Sequence, residues 1–123
     1  MSYEISIDEA ADIAQVTMWG TPTFEEMIEV LAKLTAGDAF ITRKRLWDLR
    51  NATSALTSNE MERLAHAALA RDKGGASRVA IVAEEDVVYG LSRVFEVYRE
   101  SSDVKVKTFR DLDEAQGWLQ EDC

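Results

Sequence analysis

Residues 79–83 read Val-Ala-Ile-Val-Ala, an apolar run with no polar face. Five residues is the length of a strand, and a strand apolar on both sides needs a covering layer on each. Glu84, Glu85 and Asp86 follow it, and acidic side chains of this kind suit the positive end of a helix macrodipole. A long amphipathic stretch then runs from Asp86 to about Ser101. Strand, short turn and helix make half of a βαβ unit, and ligands of such units bind at the C-terminal ends of the strands. The chain therefore has to contain a sheet with helices packed on it.

The flanking sequence supplies the remaining elements. Tyr3, Ile5 and Ile7 alternate with Glu4, Ser6 and Asp8, the period of a half-exposed strand. A short acidic link, residues 8–12, leads into a second strand over 13–19, which makes the first two strands an antiparallel hairpin. That second strand places Ala14, Val16 and Met18 on one face, and Gly20 ends it. Thr23 and Glu26 have capping-box spacing ahead of Phe24, Met27, Ile28, Leu31 and Leu34, one apolar helical stripe.

A third strand is predicted over 43–49, followed by a small, polar loop over 50–58. Thr57 and Glu60 repeat the capping box for a second helix, with Met61, Leu64, Ala65, Ala68 and Leu69 facing inward until Gly74 and Gly75 stop it. Val104, Val106 and Thr108 alternate with Lys105 and Lys107, as on a strand whose edge must not recruit another chain. Asp111 and Glu114 begin a last helix carrying Leu112, Ala115, Trp118 and Leu119. The predicted fold is α/β in the order β-β-α-β-α-β-α-β-α. It is a mixed five-stranded sheet, first strand antiparallel, with helices on both faces in one domain over residues 1–123.

Composition removes several functions. The net charge of −9 argues against nucleic-acid binding, which relies on a basic footprint. It also disfavours electrostatic docking on anionic lipid. Cys123 is the only cysteine, so there is no disulfide framework and no cysteine metal cluster. Residues 1–12 lack a basic, apolar signal segment, and no apolar run approaches membrane-spanning length, so a cytoplasmic location is expected.

Several strings resemble the SpoIIAA-like family, relatives of STAS domains and more distantly of the CRAL-TRIO (Sec14-like) fold. They are Leu46-Trp47-Asp48-Leu49 before the polar loop, Arg78-Val79-Ala80-Ile81-Val82 before the third helix, and Phe109-Arg110-Asp111-Leu112-Asp113-Glu114-Ala115 running into Gly117-Trp118-Leu119. The resemblance spans essentially the whole chain and implies a binding or regulatory module of bacterial type rather than an enzyme. Partners it implies are proteins, nucleotides or small ligands and, through the Sec14 relationship, an apolar small molecule or a membrane surface. No cofactor and no metal are expected. The phosphorylated switch serine of the anti-sigma factor antagonists falls near Thr57 and Ser58 here. The aspartate and glycine of that setting are replaced by Leu56 and Asn59.

Each candidate residue also has a plainer role. Thr57 and Ser58 are the candidate phospho-switch, and capping alone would explain Thr57. Asp48 with Glu84, Glu85 and Asp86 could gather at the strand ends as hard-cation ligands, but their spacing matches no metal motif. His66 stands alone, four residues after Glu62, and an ion pair suffices for it. Ser54 lacks the glycines of a nucleophile elbow. The third helix has more apolar residues than one face needs. Val87, Leu91, Val94 and Tyr98 form the expected core stripe, and Val88, Tyr89, Phe95 and Val97 widen it. The candidate ligand or partner surface is therefore Asn51, Thr53, Ser54, Glu84, Glu85, Asp86, Val88, Tyr89 and Phe95, with Trp19 and Trp47 lining an apolar pocket beside it. The cover for that widened helix is another element of the same domain or the same helix of a second copy, and a homodimer is expected.

Overall fold

The structure, a computed structural model, describes residues 3–35, 44–53, 56–71, 78–100 and 104–121. Its elements are β1 (Tyr3–Asp8), β2 (Ile13–Gly20), α1 (Phe24–Thr35), β3 (Lys44–Ala52), α2 (Ser58–Arg71), β4 (Arg78–Val82), α3 (Asp86–Arg99), β5 (Lys105–Phe109) and α4 (Leu112–Leu119). The order is the one expected. Ser54 and Cys123 lie outside the described residues.

The five strands lie side by side in chain order, β1-β2-β3-β4-β5, with β1 antiparallel to β2 and the rest parallel. At the β1–β2 turn the Asp8 carboxylate accepts from the Ala11 N–H at 3.1 Å, and Asp12 takes a φ of 57°, which aspartate tolerates. Right-handed crossovers in a sheet whose order never reverses place every crossover helix on one face. Met27, Val30, Leu31 and Leu34 of α1, Leu64 and Ala65 of α2 and Val88 and Phe95 of α3 accordingly share one core with Ala14, Val16, Met18, Trp47, Leu49 and Ile81. Following the last strand, α4 is free of that constraint. It covers the other face, where Ala115 and Leu119 pack on Leu46, Ala80, Val82 and Phe109. The β4 strand is buried along its whole length, as a run apolar on both faces requires.

Helix starts follow the local chemistry. Thr23 N–H donates to Glu26 Oε1 and Glu26 N–H to Thr23 Oγ1, both at 3.1 Å, a closed capping box. Thr57 and Glu60 repeat it at 2.9 and 3.1 Å, and the Asp111 carboxylate accepts from the Glu114 N–H at 3.2 Å.

Two expectations are corrected. The third strand does not end at Leu49 but continues to Ala52, because the eight-residue β2 supplies ladder partners: Trp19 pairs with Asn51 and Gly20 with Ala52. Between Thr17 and Trp19, β2 advances two residues while β3 advances three, from Asp48 to Asn51, a bulge that re-aims the end of β3. The second correction concerns α3. Its inward stripe is Val88, Ser92, Phe95 and Arg99, all buried, not Val87, Leu91, Val94 and Tyr98. Leu91 and Val94 are half-buried, while Val87 and Tyr98 are exposed. The helix is rotated because Phe95, the bulkiest side chain of that inward stripe, fills the space under α3, and Ser92 and Arg99 go inward with it.

Candidate interaction surface

The C-terminal ends of β3, β4 and β5 carry most of the polar residues singled out in the sequence. At the β3 end, Asp48 is buried at 5% side-chain exposure and held by a bidentate pair. Arg50 Nε donates to Oδ1 and Nη2 to Oδ2, each at 2.9 Å, and the Arg50 N–H adds a bond to Oδ1 at 3.2 Å. Burial pushes the Asp48 carboxyl up, but the Arg50 hydrogen bonds and charge outweigh it, so its pKa lies below the ordinary value. Thr53 shares a 2.8 Å hydroxyl contact with Thr21, and its N–H closes on the Gly20 carbonyl at 2.7 Å. Asn51 is exposed on the strand end. Thr57 is exposed with its hydroxyl occupied as a cap, and Ser58 is exposed beside it.

At the β4 end, Glu84, Glu85 and Asp86 all face water. Arg110, immediately after β5, pins this turn. Its Nη1 lies 2.8 Å from Asp86 Oδ1 and donates to the Glu84 carbonyl at 3.1 Å, and its guanidinium sits 4.2 Å from the centroid of the Tyr89 ring. Such an exposed ion pair contributes little to stability, and its effect is to fix where α3 begins. Sequence reasoning passed over Arg110 and Arg50. Each lies at a strand's C-terminal end, and neighbouring parallel strands bring those ends together. The acidic residues thus do not form a cation cage: Asp48 and Asp86 each face an arginine. Among the described residues no three His, Cys, Asp or Glu side chains converge as metal ligands.

The expected apolar pocket is divided. Trp47 is 6% exposed and lies in the core beneath the helices, whereas Trp19 is 42% exposed. Val88 and Phe95 are likewise buried, and Tyr89 half-buried. Two adjoining apolar cavities, about 20 and 30 Å³, lie between the sheet and the helices, both lined by Met27, Leu49, Met61 and Ser92. Trp47 and Phe95 line the first, Val88 and Thr53 the second. Drug-sized ligands occupy sites of roughly 300–1,000 Å³. The strand order also never reverses, so the sheet lacks the crevice in which doubly wound folds bind nucleotides. A larger hollow of about 260 Å³ lies on the α4 face, its lining including Ser6, Asp8, Gln15, Leu46, Gln116 and Gln120, where α4 stops short of the first strands.

What α3 leaves outside is the most distinctive surface of the protein. Val87 is 57% exposed, Val97 68% and Tyr98 42%. Val87, Gly90, Val94 and Val97 follow helical spacing along one face, a ridge about 15 Å long at 1.5 Å per residue. Tyr98 meets the His66 ring edge-on at 5.9 Å, and Leu69 of α2, expected to face inward, is also exposed. In the middle of the ridge, Gly90 forms a notch, and a Cβ built there meets no atom within 4 Å. Glycine inside a helix costs about 1 kcal/mol relative to alanine, and among the described residues no neighbour requires it here. Gly90→Ala is therefore expected to stabilise the protein by about 0.5–1 kcal/mol, measured by urea denaturation.

No protein-family model matches the chain, and no curated protein matches it. A solved structure does: an uncharacterized protein of the DUF3478 family with a SpoIIAA-like fold, from Shewanella loihica PV-4. It is 20% identical, covers 96% of this chain and 94% of its own, and superposes with a TM-score of 0.60. The chain has a SpoIIAA-like fold.

Proposed function

We propose that this SpoIIAA-like domain is a non-enzymatic cytoplasmic binding module that docks a protein partner on the outer face of α3. The observation that carries this reading is the exposed ridge of Val87, Val97 and Tyr98, notched at Gly90 and ending at the acidic turn Glu84–Glu85–Asp86. Apolar side chains in water beside exposed Glu84 and Glu85, with Asp86 held by Arg110, fit a partner segment with apolar anchors and flanking lysine or arginine. Gly90 lets the partner's backbone approach the helix closely. The apolar cavities of about 20 and 30 Å³ hold far less than an acyl chain, and the hollow of about 260 Å³ is lined largely by polar side chains, which favours a protein over a carried lipid. No helix among the described residues is long and apolar enough to cross a membrane.

The test uses the full chain as bait in its native host, compared with Val97→Lys and with Gly90→Ala. A partner retained by the wild type and depleted at least tenfold by Val97→Lys, with melting unchanged, supports the reading. Gly90→Ala weakening the same complex while raising the melting temperature would support the close approach at the notch. Native mass spectrometry that finds a co-purified acyl ligand and no protein partner would replace this reading with a carrier. Turnover of an ester or phosphoester panel, abolished by Ser58→Ala, would make the protein an enzyme.

A further inference from the structure

The two edges of the sheet are treated differently. On β5, the outward N–H groups of Val106 and Thr108 donate to the Glu100 and Glu96 carboxylates of α3, at 3.2 and 2.8 Å. Exposed Lys105 and Lys107 complete a guarded edge. On β1 there is no such device: among the described residues no side chain caps its outer backbone groups and no element lies along that side. The hydrophobic Ile7 is left 39% exposed there, with Ile5 half-buried.

We infer that β1 is the seam of a homodimer, in which β1 strands from two copies pair antiparallel about a two-fold axis at Ile5 and join two five-stranded sheets into one. The occupant is a second copy because β1 is complementary to itself in one register. Tyr3, Ile5 and Ile7 alternate onto one face, since Tyr3 pairs with Met18, Ile5 with Val16 and Ile7 with Ala14, and Tyr3 and Ile5 pack in the core that α1 covers. A two-fold at Ile5 sets Tyr3 opposite the second copy's Ile7, Ile5 opposite Ile5, and Glu4 opposite Ser6. Apolar side chains then meet apolar ones, and no carboxylate faces another. Moving the axis to Ser6 would place Glu4 opposite Asp8 twice, like charges in directly opposed positions. An axis between residues would set Ile5 against Ser6 and turn the two helix layers to opposite faces. Among the registers that pair most of the strand, charge and pleat together favour this one, and it covers Ile7.

This seam lies on a different element from the α3 ridge, so either can fail without the other. The experiment is sedimentation equilibrium on the full chain from micromolar to several hundred micromolar, with a disulfide trap alongside. The wild type should be dimeric, and Ile7→Lys should raise the dimer dissociation constant about tenfold or more, since the two-fold axis applies each substitution twice. Far-ultraviolet circular dichroism should show that Ile7→Lys keeps the wild-type secondary structure, its melting temperature falling only by what loss of association removes. In a Cys123→Ser background, Ile5→Cys should form an interchain disulfide on oxidation and Val97→Cys should not, because opposed Cβ atoms in an antiparallel pair lie about 4.5–5.5 Å apart. A wild type that stays monomeric throughout, or a dimer unaffected by Ile7→Lys and trapped through residue 97 instead, overturns the inference.

Discussion

Phe95→Ala is expected to destabilise the protein by about 3–5 kcal/mol, a large share of the 5–15 kcal/mol typical of a domain. Phe95 is 6% exposed and shares a cavity of about 20 Å³ with Trp47, Met27 and Met61. Truncation enlarges that cavity and removes the ring's transfer free energy together, and the surrounding strands are too rigid to close the gap. A urea midpoint and a thermal scan measure it, the latter falling by roughly 10–20 °C at this chain length. Val97→Lys, on the same helix but 68% exposed, is expected to change stability by less than about 0.5 kcal/mol. The contrast matters because an apolar count alone cannot tell these two residues apart. If Phe95→Ala were nearly neutral while Val97→Lys unfolded the protein, the orientation of α3 would be the reverse of that described.

The second large effect is electrostatic. Asp48→Asn keeps the shape of the side chain but removes the charge that faces Arg50, and is expected to cost about 3 kcal/mol at pH 7. That is the low end for breaking a buried pair, because Arg50 keeps about a third of its side chain in water. The pH dependence has a definite sign. A carboxyl whose folded pKa is depressed contributes stability above its unfolded pKa, about 3.9 for aspartate, and loses it as pH falls through the folded value. The gap between wild type and Asp48→Asn should hold steady from pH 7 to 5 and shrink progressively below about pH 4. Urea titrations of both proteins at pH 7, 5 and 3 measure it, and a gap that widens in acid would contradict the Asp48–Arg50 assignment.

Much of the architecture was legible because it rests on local rules. Thr23 with Glu26, Thr57 with Glu60 and Asp111 with Glu114 announce helix starts within four residues, and each hydrogen bond is present. Alternation in residues 3–8 and the two-sided apolar run of β4 gave the strands. The candidate surface was legible only in part. Glu84, Glu85 and Asp86 do gather at the head of α3, but Val88, Phe95 and Trp47 turned out to belong to the core, and Trp19 stands apart from it. Their chemistry was read correctly and their direction was not. On α3 nearly every face holds a valine or an aromatic residue, so the helical period alone fits more than one rotation. The partners that select one of them, on α2 and the sheet, lie far away in the chain.

Taken alone, the sequence determined the α/β class, the order of nine elements, the antiparallel first pair and the need for cover on both faces of β4. These follow from side-chain period, capping chemistry and charge, which act over a few residues. Tertiary structure decided the rest: which stripe of α3 faces water, that Arg50 and Arg110 engage the acidic residues at the strand ends, and that α3 carboxylates cap the outward N–H groups of β5 while no described residue does so for β1. Each of these depends on segments brought together by the crossovers, and the energy of a buried ring or a paired carboxylate is set by neighbours distant in the chain.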